Sequence, residues 1–249
     1  MKSPGARKAL GYVWGTVATL LLWWLAAVLL NTPALPTPLE SLGEFVAQLP
    51  AIAPEFAVST GRILVAMLAG TVLGAPLGLL LGRSKRADAV FSPILYVLYP
   101  VPKIVFLPVL FVIFGLGGEG KVVLIAIALF FQVMLSMRDA AKGVPVGVVE
   151  ALRSLGGSKR DVFTSVVVPL TIPELFTSLR VSTGTAVAIL FIAESMAGNS
   201  GLGYFIMHAW SLLDYQQMFA GIVAMAVLGV VLYEAFDIAE KHLTKWRRA

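Results

Sequence analysis

Val148-Val149-Glu150-Ala151-Leu152-Arg153-Ser154-Leu155-Gly156-Gly157-Ser158-Lys159-Arg160-Asp161-Val162-Phe163-Thr164-Ser165-Val166-Val167-Val168-Pro169 is the stretch on which the reading of this chain turns. Residues 148–155 read as a short helix stopped by Gly156-Gly157, because glycine enters the left-handed conformation of a helix end without steric cost. Ser158 with Asp161 three residues on has the form of a capping box and opens a second short helix. That helix presents Val162, Phe163, Val166 and Val167 on one side and is expected to end at Pro169. Thr171 and Glu174, with Pro173 in the first turn, repeat the capping arrangement at the entry to the next apolar run. A loop this structured is expected to dock a partner.

Outward from this loop the chain is apolar. Of 249 residues 58% are hydrophobic and 13% charged, and the mean hydropathy is +0.88. A soluble domain carries roughly twice that charged fraction, so lipid is the solvent for much of the chain. Six apolar segments follow, at about 10–30, 63–82, 89–115, 122–138, 175–198 and 217–238, with the quoted loop inside 139–174. All are expected to be helical, since a backbone in lipid must satisfy its own hydrogen bonds. The first, flanked by Lys2, Arg7 and Lys8, exceeds a signal-peptide core, and no small-x-small site follows at Asn31-Thr32-Pro33. It reads as a retained span. In the second, Gly70, Gly74, Gly78 and Gly82 form a stripe on one face, which lets another backbone approach closely. The third holds Pro93, Pro100, Pro102 and Pro108 and must be kinked or broken. The fifth is interrupted by Arg180 and Glu194.

Charge sets the orientation. With the N-terminus inside and six spans, every Lys and Arg falls on the inner side except Arg62 and Lys121, in outer loops, and Lys103, inside the third segment. The outer loops hold Glu40, Glu44, Glu55, Glu119 and Asp214. This is the positive-inside pattern. It predicts an all-α integral membrane protein, a single six-span domain with both termini cytoplasmic. The net charge of +5 would raise nucleic acid as a partner for a soluble chain. Here the charges follow topology, and the surroundings expected are membrane lipid, with no nucleic acid. The absence of cysteine excludes disulfides, thiolate zinc sites and Cys nucleophiles.

Glu150-Ala151-Leu152, three residues, Gly156, nine residues, and then Val166-Val167-Val168-Pro169 resembles the EAA loop of ABC importer permeases. That pattern is Glu-Ala-Ala, three residues, Gly, nine residues, Ile-x-Leu-Pro. Leu152 replaces an alanine, and valines replace Ile and Leu, which keeps the apolar character. Leu35-Pro36-Thr37-Pro38, Gly74-x-Pro76-x-Gly78, Pro100-Val101-Pro102-Lys103 with Leu107-Pro108, and Gly198 to Gly203 are similar to the nitrate/sulfonate/taurine branch. The resemblance implies a type I importer permease in a bacterial cytoplasmic (inner) membrane. It implies a second permease copy, two cytoplasmic ABC ATPase subunits and an extracytoplasmic solute-binding protein. ATP and Mg would be used by the ATPases, with no cofactor bound by this chain. The solute would be small and anionic, such as a sulfonate, nitrate or bicarbonate. Glu150, Ala151, Arg153, Gly156, Ser158, Val166 and Pro169 would form the ATPase-coupling element, although Glu150 taken alone is equally consistent with a local ion pair to Arg153.

Other residues remain open. Gly115-Leu116-Gly117-Gly118-Glu119-Gly120-Lys121 has Walker spacing, but Val122 stands where a hydroxyl must hold Mg²⁺, so it reads as a turn. Lys103, Glu194 and Asn199 are candidates for the substrate path. Lys103 either attracts an anion or snorkels to an interface. Glu194 either lines the path and outer gate or caps a loop amide or pairs with a lysine. Arg62 reads as an anchor at the outer end of the second span. His208 and His242 share no ligand spacing with acids, and no catalytic set converges, so the chain is not expected to be an enzyme. The alternative function is an ion-coupled secondary transporter, which would show internal repeats or buried carboxylates. Neither is evident.

Overall fold

The computed structural model describes residues 4–196 and 198–248. Lys2, counted among the inner charges, and Ala197, inside the expected fifth span, lie outside them. Among the described residues every regular element is helical. α1 (Pro4–Leu30) is almost wholly unburied over residues 10–30. It meets the rest where Trp23 stacks on Phe219, ring centroids 5.5 Å apart, and gives its indole N–H to the Pro36 carbonyl at 3.0 Å. Thr37 then caps α2 (Pro38–Ala47), and Glu40 returns to the Thr37 N–H, completing a capping box.

α3 (Leu49–Arg83) has 35 residues, about 52 Å at 1.5 Å per residue. That exceeds a hydrocarbon core of about 30 Å, so the helix projects beyond it. It begins at Leu49 rather than near residue 63, because Pro50 sits in the first turn, where its missing N–H costs nothing. The glycine stripe packs inside the chain, against α6 (Gly118–Lys142). A Cβ on Gly70 would lie 2.9 Å from Leu129 Cβ, and one on Gly74 2.7 Å from the Phe130 carbonyl. Gly78 and Gly82 approach the Met134 and Arg138 carbonyls still more closely. In lipid such contacts stabilise by dispersion rather than by water release.

The third segment is broken. α4 (Lys85–Leu98) and α5 (Leu107–Phe114), joined through a 3₁₀ turn at Lys103–Phe106, meet at 81°. Pro100 and Pro102 cannot donate to the ladder, and Pro108 fits the first turn of α5. Beyond α6 come α7 (Val146–Ser154), α8 (Lys159–Val162), a π turn at Phe163–Val167, α9 (Val168–Met196), α10 (Leu202–Ser211), α11 (Tyr215–Leu243) and a 3₁₀ turn at Lys245–Arg248. Five helical runs are long and apolar enough to cross a membrane, and the bent α4–α5 pair makes a sixth if it counts as one span. The core lies between α3, α6, α9, α10 and α11, where Ile63, Ile125, Leu129, Leu190, Leu202 and Leu228 are fully buried.

Pro169 does not end a helix, and Thr171 with Glu174 does not cap one. The chain runs without a stop from α8 through the π turn into α9. The wider π turn absorbs the mismatch where Pro169 withdraws its donor. Thr171 is buried inside α9, its hydroxyl donating to the Val167 and Val168 carbonyls at 3.0 Å each.

Candidate functional site

The elbow formed by α7 and α8 hangs from the core by little. Val149 and Val162 are its buried contacts, while Val146, Val148 and Leu155 are exposed. Its corner is fixed by backbone bonding. Gly156 has φ +84°, its N–H donates to the Arg153 carbonyl at 2.9 Å, and that of Gly157 to Leu152 at 3.0 Å. These two bonds make a Schellman motif, and the first glycine supplies the left-handed residue it needs. A Cβ on Gly157 would collide with Leu152 at 2.8 Å. Ser158 and Asp161 form the reciprocal cap, with Asp161 accepting from the Ser158 N–H at 2.8 Å. Glu150, Ala151 and Arg153 are all exposed, and Glu150 makes no ion pair among the described residues. Val166 is buried and Pro169 half-buried, so they root the elbow in α9.

At the other end of the bundle four charges are gathered. Glu55, Ser59 and Arg62 stand on one face of α3, four and three residues apart. Glu194 on α9 is buried and accepts from Arg62 at 2.7 Å, from the Ser59 hydroxyl at 2.9 and 3.0 Å, and from the Gly203 N–H at 3.0 Å. Arg62 also binds the Ser200 carbonyl at 2.9 Å and its hydroxyl at 2.8 Å. Ser59 accepts the Leu202 N–H at 2.8 Å, and Glu55 accepts the Gly201 N–H. The loop before α10 is thereby stitched to α3. Gly201, at φ +102°, lies so close that a Cβ there would overlap the Glu194 carboxylate.

Arg62 is therefore no interfacial anchor, and Lys121 is not in an outer loop. Lys121 lies in the first turns of α6, 1% exposed, with its ammonium against Gly198. That burial leaves the Walker-spaced segment without a cradle for phosphate. Asn199 is exposed and takes no part in the latch. The spacing of Glu55, Ser59 and Arg62 was the available signal for this face.

Lys103 sits at the break in the third segment. Its ammonium donates to the carbonyls of Leu98 at 2.7 Å, Tyr99 at 3.0 Å and Val101 at 2.7 Å, and lies 4.8 Å from the Phe131 ring centroid. It replaces the donors that the prolines remove. Two further ion networks tie helices together. Arg138 joins α6 to Asp88 and Ser92 of α4, with Lys142 on the other Asp88 oxygen at 2.6 Å. Arg180 joins α9 to Asp237 and Glu240 of α11 at 2.7 and 3.0 Å. The sequence placed Arg138 and Arg180 only as inner charges.

The chain is thus a multi-pass helical bundle with a broken third segment and a glycine-cornered elbow between its long helices. The chain belongs to the family of binding-protein-dependent transport system inner membrane components, whose pattern matches residues 70–248. It is 32% identical over 245 residues to the taurine transport system permease protein TauC of Escherichia coli (strain K12), covering 93% of this chain and 88% of that one. It is 30% identical to the aliphatic sulfonates permease SsuC of Bacillus subtilis (strain 168), covering all of this chain and 92% of that one. This is the branch that the sequence resemblance indicated. In fold it is similar to the solved inward-facing MetNI methionine ABC transporter, with a TM-score of 0.65 at 21% identity, over 78% of this chain and 96% of that one. It is a multi-pass component of the inner membrane.

Proposed function

We propose that this chain is the permease subunit of an ATP-driven importer for a small anionic solute such as a sulfonate, nitrate or bicarbonate. Two copies form the path, with both termini cytoplasmic. Two ABC ATPase subunits dock inside and a solute-binding protein delivers outside. The chain holds no nucleotide; ATP and Mg belong to the ATPases. Glu150, Ala151, Arg153, Gly156, Ser158, Val166 and Pro169 form the element through which ATPase closure moves the spans.

The observation that carries this reading is the elbow itself. It is stiffened by a Schellman corner and a reciprocal cap, yet it leaves Leu155 85% exposed and Glu150 uncommitted. A rigid tip that presents Leu155, with Glu150 beside the cations Arg153, Lys159 and Arg160, outside the core is suited to a groove in another protein. The solute class follows the names of the relatives, taurine and aliphatic sulfonates. Gly156→Pro, which cannot adopt φ +84°, and Glu150→Lys are expected to abolish ATP-driven uptake and co-purification of the ATPase. Membrane insertion is expected to persist. Normal uptake in both variants, or uptake that continues with every ATPase removed, refutes the reading; the second result points to ion-coupled transport.

A further inference from the structure

Three elements bring polar groups to one depth. The break at 99–103 is midway along the α4–α5 segment, Gln132 is near the middle of α6, and Thr185 is near the middle of α9. Their side chains line a single cleft of about 340 Å³, together with Tyr99, Phe131 and Ile189. Neither Gln132 nor Thr185 is hydrogen-bonded to another described side chain or capped in its helix. Unbonded polar groups at mid-membrane are costly unless a wet cavity or a ligand satisfies them.

Lys103 determines what kind of ligand suits the cleft. All three of its N–H donors are consumed by the Leu98, Tyr99 and Val101 carbonyls. It therefore offers a field rather than a bond. Direct donors must come from the Gln132 amide and the Thr185 hydroxyl. The described wall of the cleft carries one cation and no carboxylate. A carboxylate-free cleft with a fixed cation and two neutral donors favours a compact monoanion with oxygen acceptors over a cation.

We propose that the cleft of Lys103, Gln132 and Thr185 is a solute-binding station for a small oxyanion, with Gln132 and Thr185 as ligands and Lys103 as the fixed charge. This rests on the permease reading and adds the station within it. The chain contains no cysteine, so an introduced cysteine is its one thiol, and labelling is read on this chain after separation from its partners. In membrane vesicles carrying the full complex, Thr185→Cys and Gln132→Cys are reacted with the anionic thiol reagent 2-sulfonatoethyl methanethiosulfonate and with its trimethylammonium counterpart.

Both positions are expected to react, with the anionic reagent favoured. Lys103→Met is expected to lower the anionic-to-cationic rate ratio at least about fivefold, and Lys103→Arg to preserve it. Cysteines unreactive to both reagents, or a ratio indifferent to Lys103→Met, overturn the station. If Lys103→Met disrupts the break itself, the Lys103→Arg arm decides: a ratio that falls with the charge retained also overturns it. Failure of the permease reading is seen separately, as no ATP-driven uptake by the wild-type complex while the labelling pattern stands.

Discussion

Removing the Glu194 carboxylate tests the latch between α3 and the loop before α10. In Glu194→Ala the Arg62 guanidinium, whose side chain is only 13% exposed, keeps its Ser200 bonds but loses its counter-charge. Ser59 and the Gly203 N–H lose an acceptor as well. Breaking a buried ion pair by removing one partner costs about 3–5 kcal/mol. At about 2–4 °C per kcal/mol for a chain this size, the melting temperature of the purified protein is expected to fall by roughly 6–20 °C. The double variant Glu194→Ala with Arg62→Met is expected to recover part of that loss, since Arg62 is then no longer stranded, while the buried Lys121 ammonium still lacks the Glu194 charge. Fluorescence-detected size-exclusion after heating reads both. A Glu194→Ala protein that melts within about 2 °C of wild type, less than one kcal/mol on the same scale, refutes the latch and returns Glu194 to the solute path.

Gly74→Val tests the close approach of α3 and α6. Overpacking of a filled contact costs about 1–3 kcal/mol, and the same heating assay is expected to show a corresponding drop, while Gly61→Ala, with open space around it, leaves stability near wild type. Arg138→Lys is expected to destabilise almost as Arg138→Leu does, because an ammonium cannot reach Asp88, Ser92 and Tyr96 at once as the guanidinium does; equal stability of Arg138→Lys and wild type contradicts the network. The Thr37 N–H and hydroxyl hold the Glu40 carboxyl below its ordinary value of 4.5. A depressed folded value means the cap contributes fully above that ordinary value and is lost as pH falls through the lower folded one. Hydrogen exchange in the first turn of α2, corrected for intrinsic rates, is expected to speed up in that acid window and to lose its pH response in Glu40→Gln, which has no carboxyl to titrate.

The local devices were legible because each is short-range. The Gly156-Gly157 stop, the Ser158–Asp161 cap, the proline break at 100–102 and the glycine stripe all depend on neighbours within one or two turns. The outer latch depends on pairs more than 130 residues apart in sequence, such as Arg62 with Glu194. Counting charges by loop then misplaced Arg62 and Lys121, because a charge near a helix end looks the same whether it faces water or a buried partner. Residues 49–62 carry a lower density of apolar side chains than the segment that follows, so Glu55 read as a loop charge although the helix already runs through it. Thr171 and Glu174 match a cap in spacing, but spacing cannot tell a cap from the middle of a helix that a π turn has carried past a proline.

The packing of α3 on α6 through bare glycine has a mechanical corollary. Side chains between helices act as cushions, because rotamers can yield before backbones move. Here the Phe130, Met134 and Arg138 carbonyls press directly on the glycine face, so the two rods share one inclination. A bilayer that is too thin or too thick for one must reorient both together. The α4–α5 arms, bent by 81°, are tied to that pair through Arg138 and Asp88, so its reorientation carries them with it.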